Sequence, residues 1–141
     1  MEIDRVKLFK DLMVDEGLRL KPYRCSAGKL TIGFGHNLEA RGISESVAAA
    51  ILHEDIDYDL PGLYQRIPWL RDYPEPVQRA LANMAFNMGT SKLMRFVKML
   101  KALRDRNYSL AAEEALDSKW ARQVGDRAIR IAELLEGPHG S

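Results

Sequence analysis

Apolar residues recur at helical spacing along most of this chain and alternate strictly in only one place. Val6, Phe9, Leu12 and Met13 form the first helical stripe. Asp4 stands where an N-cap belongs and Gly17 where a helix stops. From Arg19 to Phe34 the period falls to two: Leu30, Ile32 and Phe34 alternate with Thr31, Gly33 and Gly35. Ser26-Ala27-Gly28 supplies turn chemistry, so the stretch predicts a hairpin or small sheet. Thr31 and Gly33 then share the face opposite the apolar residues. Gly33 and Gly35 keep that face low, which lets a ligand approach the backbone.

Helical spacing resumes at Ser44, with Glu45 in the first turn and Val47, Ala48, Ile51, Leu52 and Ile56 along the stripe. Pro61-Gly62 is expected to break or kink this helix. Pro74 and Pro76 punctuate the next connection. Val77, Leu81, Met84, Ala85 and Met88 predict another helix, closed by Gly89. Leu93, Phe96, Val97, Leu100 and Leu103 make a third stripe. Ser109 is the expected cap of a helix from Leu110 to Leu116, and Gly125-Asp126 opens a last helix carrying Ile129, Ala132 and Leu135. The pattern predicts an α+β fold, mostly α: a helical body, a small β-hairpin or sheet lobe over about 18–42, and a cleft between them. One domain spans 1–136. The Gly-Pro-His-Gly-Ser tail at 137–141 is set aside from fold reasoning.

Bulk composition narrows the function more than the fold. A length of 141 residues suits one domain in two lobes, and a 46% hydrophobic fraction allows a sizeable core. A formal net charge of +1 does not mark the chain as a nucleic-acid binder. Between Lys92 and Arg106, however, Lys92, Arg95, Lys98, Lys101, Arg104 and Arg106 face one acid, Asp105. Such a run reads as a solvated helix face or as an attraction for an anionic polymer. With one cysteine no intramolecular disulfide forms, and an oxidising compartment is not required. Met1 to Lys10 has no apolar run, so neither a signal peptide nor a membrane span is expected. No Cys-His cluster has ligand spacing, so neither a metal nor an organic cofactor is implied.

The candidate chemistry lies between Asp15 and Asn37. Glu16 falls in the last turn of the first helix, against the helix dipole, which favours the protonated form that a general acid needs. Cys25 follows after eight residues and Thr31 after five more. Cys25 alone reads as an inert small hydrophobe, but Arg24, Ser26 and the predicted turn argue for partial exposure.

This stretch resembles the phage-type lysozymes, the endolysins related to the lysozyme of T-even phages. In that family a Glu, then an Asp or sometimes a Cys, then a Thr, form the catalytic set at this spacing. Asn83-Met-Ala-Phe-Asn-Met-Gly89 resembles the family's Asn-Met-x-Phe-x-Met-Gly helix end, and Phe96, Leu100, Ala111-Ala112 and Trp120 follow at matching intervals. The resemblance implies catalytic roles for Glu16, Cys25 and Thr31, with Thr31 orienting the attacking water. It implies substrate contacts at Gly35, Phe86 and Asn87. It also implies that Arg127 pairs with Glu16, and that Asp55 pairs with His36. The implied substrate is peptidoglycan, cut between N-acetylmuramic acid and N-acetylglucosamine with inversion. Two departures stand out. The segment after His36 is short, so the β lobe should be reduced, and the usual aspartate is Cys25. The protein is expected as a monomer without nucleic-acid partners or stable membrane insertion. It would accumulate in the host cytoplasm and reach the wall on release. The rival readings are a lytic transglycosylase, a Cys-His hydrolase using Cys25 and His36, and a wall-binding protein without catalysis.

Overall fold

The computed structural model describes residues 2–137. Met1 and residues 138–141, which are most of the tail set aside above, lie outside the described residues. The architecture is α+β and mostly α, with one three-stranded sheet. The chain divides into two compact units, Met1–Ile51 and Leu52–Ser141.

The first unit opens with α1 (Arg5–Glu16). The Asp4 side chain accepts from the Lys7 amide at 3.1 Å, which satisfies one of the amides that every helix start leaves unpaired. Gly17, at φ +70°, ends the helix and donates to the Met13 carbonyl at 3.2 Å. The sheet follows as β1 (Arg19–Arg24), β2 (Leu30–Gly33) and β3 (His36–Asn37), antiparallel in that order. Register runs Arg24 to Leu30 and Tyr23 to Thr31, then slips before Arg19 to Gly33. Pro22 lies inside the slip. A residue without an amide hydrogen is tolerated there, on an edge strand. A short α2 (Leu38–Arg41) is capped by the Asn37 side chain, which accepts from Ala40 at 3.0 Å. The Ser44 hydroxyl accepts from Val47 at 3.2 Å at the start of α3 (Glu45–Arg66).

Two expectations are corrected here. Thr31 is the buried residue of β2, while Leu30 and Ile32 are only partly covered, so the hydroxyl face is not the open one. Its buried oxygen is affordable because it is hydrogen-bonded, as described below. Also, α3 continues through Pro61-Gly62 without a break. Proline forfeits one amide donor, but Leu60, Leu63 and Tyr64 pack the same turn onto the core, which offsets that loss.

The second unit is all helical. A 3-10 turn (Pro68–Asp72) leads to α4 (Glu75–Met88), α5 (Thr90–Leu93), α6 (Val97–Arg104), α7 (Tyr108–Leu116), α8 (Lys119–Val124) and α9 (Asp126–Glu136). Val77, Ala80, Leu81 and Met84 of α4 are fully buried, with Leu93, Leu103, Ile131 and Leu135. Ala111, Ala112 and Ala115 keep α7 narrow, which lets α6 and α9 lie close against it. The predicted stripe from Leu93 to Leu103 is two helices: Phe96 caps α6 and Val97 is exposed. Asn107, not Ser109, caps α7, its side chain accepting from Leu110 at 3.1 Å. Ser118 caps α8, a helix that the apolar pattern did not reveal. Among the described residues no helix is long and apolar enough to cross a membrane.

Asn107→Ala should lower the stability of the second unit by about 0.5–2 kcal/mol, the usual worth of such a cap, while Ser109→Ala should stay within about 0.5 kcal/mol. Both tryptophans, Trp69 and Trp120, lie in this unit. Denaturant curves followed by tryptophan emission therefore read it directly.

Candidate functional site

Glu16 is carried to the end of α1, and its carboxylate lies over Gly35, between β2 and β3. A Cβ at position 35 would sit 2.5 Å from Glu16 Oε2, so no side chain fits there while the acid holds this place. Gly35 has φ +69°, a conformation that glycine adopts freely. The low face expected at Gly35 therefore exists, and what approaches it is the Glu16 carboxylate.

Cys25 and Thr31 meet at one peptide. The tight turn is closed by the Gly28 amide donating to the Cys25 carbonyl at 2.8 Å, with Gly28 at φ +77°. The Lys29 carbonyl accepts from the Cys25 amide at 3.0 Å and from the Thr31 hydroxyl at 2.8 Å. Cys25 is partly exposed. Its thiol is held below the ordinary thiol range, chiefly by the Lys29 backbone N–H and then that of Ala27. Burial opposes this, and the Thr31 hydroxyl adds a smaller lowering. A thiol that titrates low, beside a hydroxyl, can act as a base or nucleophile.

His36 is held at Nε2 by the Gly42 carbonyl, which ties β3 to the end of α2. Glu39 of α2 reaches Arg24 at 3.1 Å and Lys29 at 3.4 Å, across the Cys25 turn. Nothing in the sequence marked Glu39, because its partners lie ten and fifteen residues away and follow no local spacing.

In the second unit Asn87, near the end of α4, accepts from the Trp120 indole at 2.8 Å. Arg127, near the start of α9, donates from Nε to Asn83 Oδ1 at 2.9 Å. Arg127, Asn83 and Phe86 line a hollow of about 510 Å³ whose other walls include Leu52, Ile56 and Tyr64. Asn83 belonged to a recognised motif but was not singled out as a site residue. Asp55 lies on α3 in the same unit. Part of the cationic run is occupied internally: Lys101 pairs with Asp105 at 2.9 Å, and Arg104 and Arg106 lie over the rings of Trp69 and Tyr73. Among the described residues no group of three or more His, Cys, Asp or Glu side chains could hold a metal ion.

The family model described as Phage lysozyme matches residues 14–134. The Probable T4-type lysozyme 2 of Dictyostelium discoideum is 26% identical over 162 residues, covering 93% of this chain and 95% of that protein. The Endolysin of Acyrthosiphon pisum secondary endosymbiont phage 1 is 34% identical over 112 residues, 76% of this chain and 72% of that protein. The SAR-endolysin of Escherichia phage Mu is 31% identical over 128 residues, 83% of this chain and 72% of that protein.

Because hydrogen bonds in the folded turn lower the Cys25 pKa, unfolding should raise it. The ionised thiol then stabilises the fold above the unfolded pKa, and the gain is lost as pH falls through the folded one. Rates of iodoacetamide alkylation against pH should give a midpoint for the native protein below that in urea. Equal midpoints would remove the turn from the chemistry of this cysteine.

Proposed function

The chain belongs to the phage lysozyme family, and on that premise we propose that Glu16, Cys25 and Thr31 form the catalytic set of an inverting peptidoglycan muramidase. As a member it is a glycoside hydrolase with a peptidoglycan-hydrolysing role. The observation that carries the finer reading is the shared peptide at Lys29, which holds Cys25 and Thr31 together on the sheet that also receives Glu16.

The bond cut is the β-1,4 link from N-acetylmuramic acid to N-acetylglucosamine. Protonated Glu16 donates its proton to the glycosidic oxygen as the C1–O bond breaks and the sugar becomes oxocarbenium-like. A water attacks C1 from the opposite face and forms the new C–O bond. Its proton passes to the Cys25 thiolate. One attack without a covalent intermediate inverts the anomeric carbon. Thr31 gives its hydroxyl hydrogen to the Lys29 carbonyl, so its oxygen is left to accept from that water. Gly35 in the first unit, and Phe86 and Asn87 in the second, are the proposed saccharide contacts. The protein is made in the host cytoplasm and acts on the cell wall after release, for host lysis.

Glu16→Gln should reduce the hydrolysis of purified sacculi by about a hundred- to ten-thousand-fold, because the amide keeps the shape but has no proton to give. Its unfolding curve should match that of the parent. Mass spectrometry of the parent's products separates hydrolysis from transglycosylation, since an anhydro sugar is lighter by one water. Anhydro products would overturn the water-attack step.

Cys25→Asp should keep or raise activity near neutrality and extend it to lower pH, because a carboxylate stays ionised where a thiol has taken up its proton. Cys25→Ala should reduce activity without abolishing it. An alanine variant with the parent's pH-rate profile would make Cys25 a bystander.

A further inference from the structure

Arg24 ends β1 and Lys29 precedes β2, so a cation stands on each flank of the turn that carries Cys25. Arg24 Nη1 donates to the Gly28 carbonyl at 3.1 Å, which lays the guanidinium along that turn. Both cations converge on one acid. Glu39 Oε1 lies 3.1 Å from Arg24, and Oε2 lies 3.4 Å from Lys29. All three side chains are largely exposed, and ion pairs of this kind contribute little to stability. Their consequence lies in the field at the sulfur. What lowers the Cys25 thiol is hydrogen bonding and not a neighbouring charge, although two cations flank it.

We propose that Glu39 is a positioning residue for Cys25: by engaging Arg24 and Lys29 together, it fixes both cations beside the thiol and offsets one of their two charges, and so tunes how readily the thiol ionises. The other charged or titratable groups on the surrounding elements include Arg19, Lys21 and Tyr23 of β1, His36 of β3, Arg41 of α2 and Glu16 of α1. Arg19 of β1 lies over the Tyr23 ring at 4.7 Å. His36 of β3 is bound at Nε2 by Gly42. Glu16 of α1 lies over Gly35. Of the charged groups, the clamp holds the two cations that flank the turn. It bears on catalysis only through the muramidase reading of Cys25, on which that part rests.

The test is the pH dependence of iodoacetamide alkylation of Cys25 in the full chain, at low salt and at 1 M salt. Glu39→Gln leaves both cations uncompensated. Its midpoint should fall by about 0.4 pH unit, what one charge about 8 Å away supplies in water, so alkylation at neutral pH runs about 2.4-fold faster. Arg24→Gln removes one of the two positive charges and leaves Lys29 balanced by Glu39, so its midpoint should rise. Both shifts should shrink at 1 M salt, where the screening length is about 3 Å. A turn merely loosened by either change would move both midpoints the same way. That outcome, an unshifted Glu39→Gln midpoint, or shifts indifferent to salt would overturn the proposal. On sacculi, the acid limb of the Glu39→Gln rate profile should move with its alkylation midpoint. If alkylation shifts as stated but the parent cleaves no sacculi, the clamp stands and the muramidase reading falls.

Discussion

The backbone of one residue, Lys29, organises the candidate site from both sides of its Cα. Its carbonyl has two lone pairs, and the structure uses both: one for the Cys25 amide, one for the Thr31 hydroxyl. Its N–H is the leading influence that favours the Cys25 thiolate. The two peptide groups that flank the Lys29 Cα therefore hold the Cys25 backbone and the Thr31 hydroxyl on one side and favour the thiolate on the other. This works only because the turn is tight. Gly28 takes the positive φ that brings the chain back, and the register between Arg24 and Leu30 then aligns Thr31 opposite Tyr23. Burial of Thr31 follows from the same geometry. A buried hydroxyl needs a partner, and the carbonyl two residues back supplies it.

The second unit rests on a different constraint, the packing of α4. Val77, Ala80, Leu81 and Met84 point into the core and are fully buried, which fixes the rotation of the helix about its axis. Asn83, Phe86 and Asn87 recur at spacings of three and four along it. Asn87 is locked further by the buried Trp120, whose indole N–H must find an acceptor and takes its amide oxygen. Trp120 is in turn held edge-on by Phe96 at 6.1 Å between ring centres. What remains free at Asn87 is the NH2 end, a donor suited to sugar hydroxyl and acetamido oxygens. Arg127 is anchored the same way, one turn earlier on α4, by Asn83.

Much of this was legible in the sequence because it is local. The Asp4 cap, the stop at Gly17, the turn at Ser26-Ala27-Gly28 and the stop at Gly89 each depend on residues within one turn, and each reads correctly. The errors fall where tertiary packing outvotes a local rule. Pro61 should interrupt α3 by its missing donor, yet the apolar residues of that turn hold the helix to the core. Alternation made Thr31 the outward residue of β2, but alternation records which residues share a face and not which face is covered. Asn107 and Ser109 are both good caps, and only the backbone path past Arg106, a non-glycine residue at φ +60°, selects Asn107. Glu39 was invisible for a deeper reason: its ion pairs join three segments that only the folded sheet brings together.

The resemblance implies an aspartate more often than a cysteine at position 25, and the turn would suit either group. Backbone N–H groups from Lys29 and Ala27 converge on the side chain at position 25. Such donors favour whichever ionised group occupies the position, carboxylate or thiolate, because they respond to negative charge and not to its chemical bearer. They act at contact distance, so salt screens them little, unlike the exposed cations at Arg24 and Lys29. An ordinary thiol is only a few per cent ionised at pH 7 and makes a poor base there. Held by the turn, the same thiol is shifted toward the charged form that water activation needs. On the proposed mechanism the backbone supplies part of what the side chain lacks, and a cysteine in place of an aspartate would change the working pH of the site more than its design.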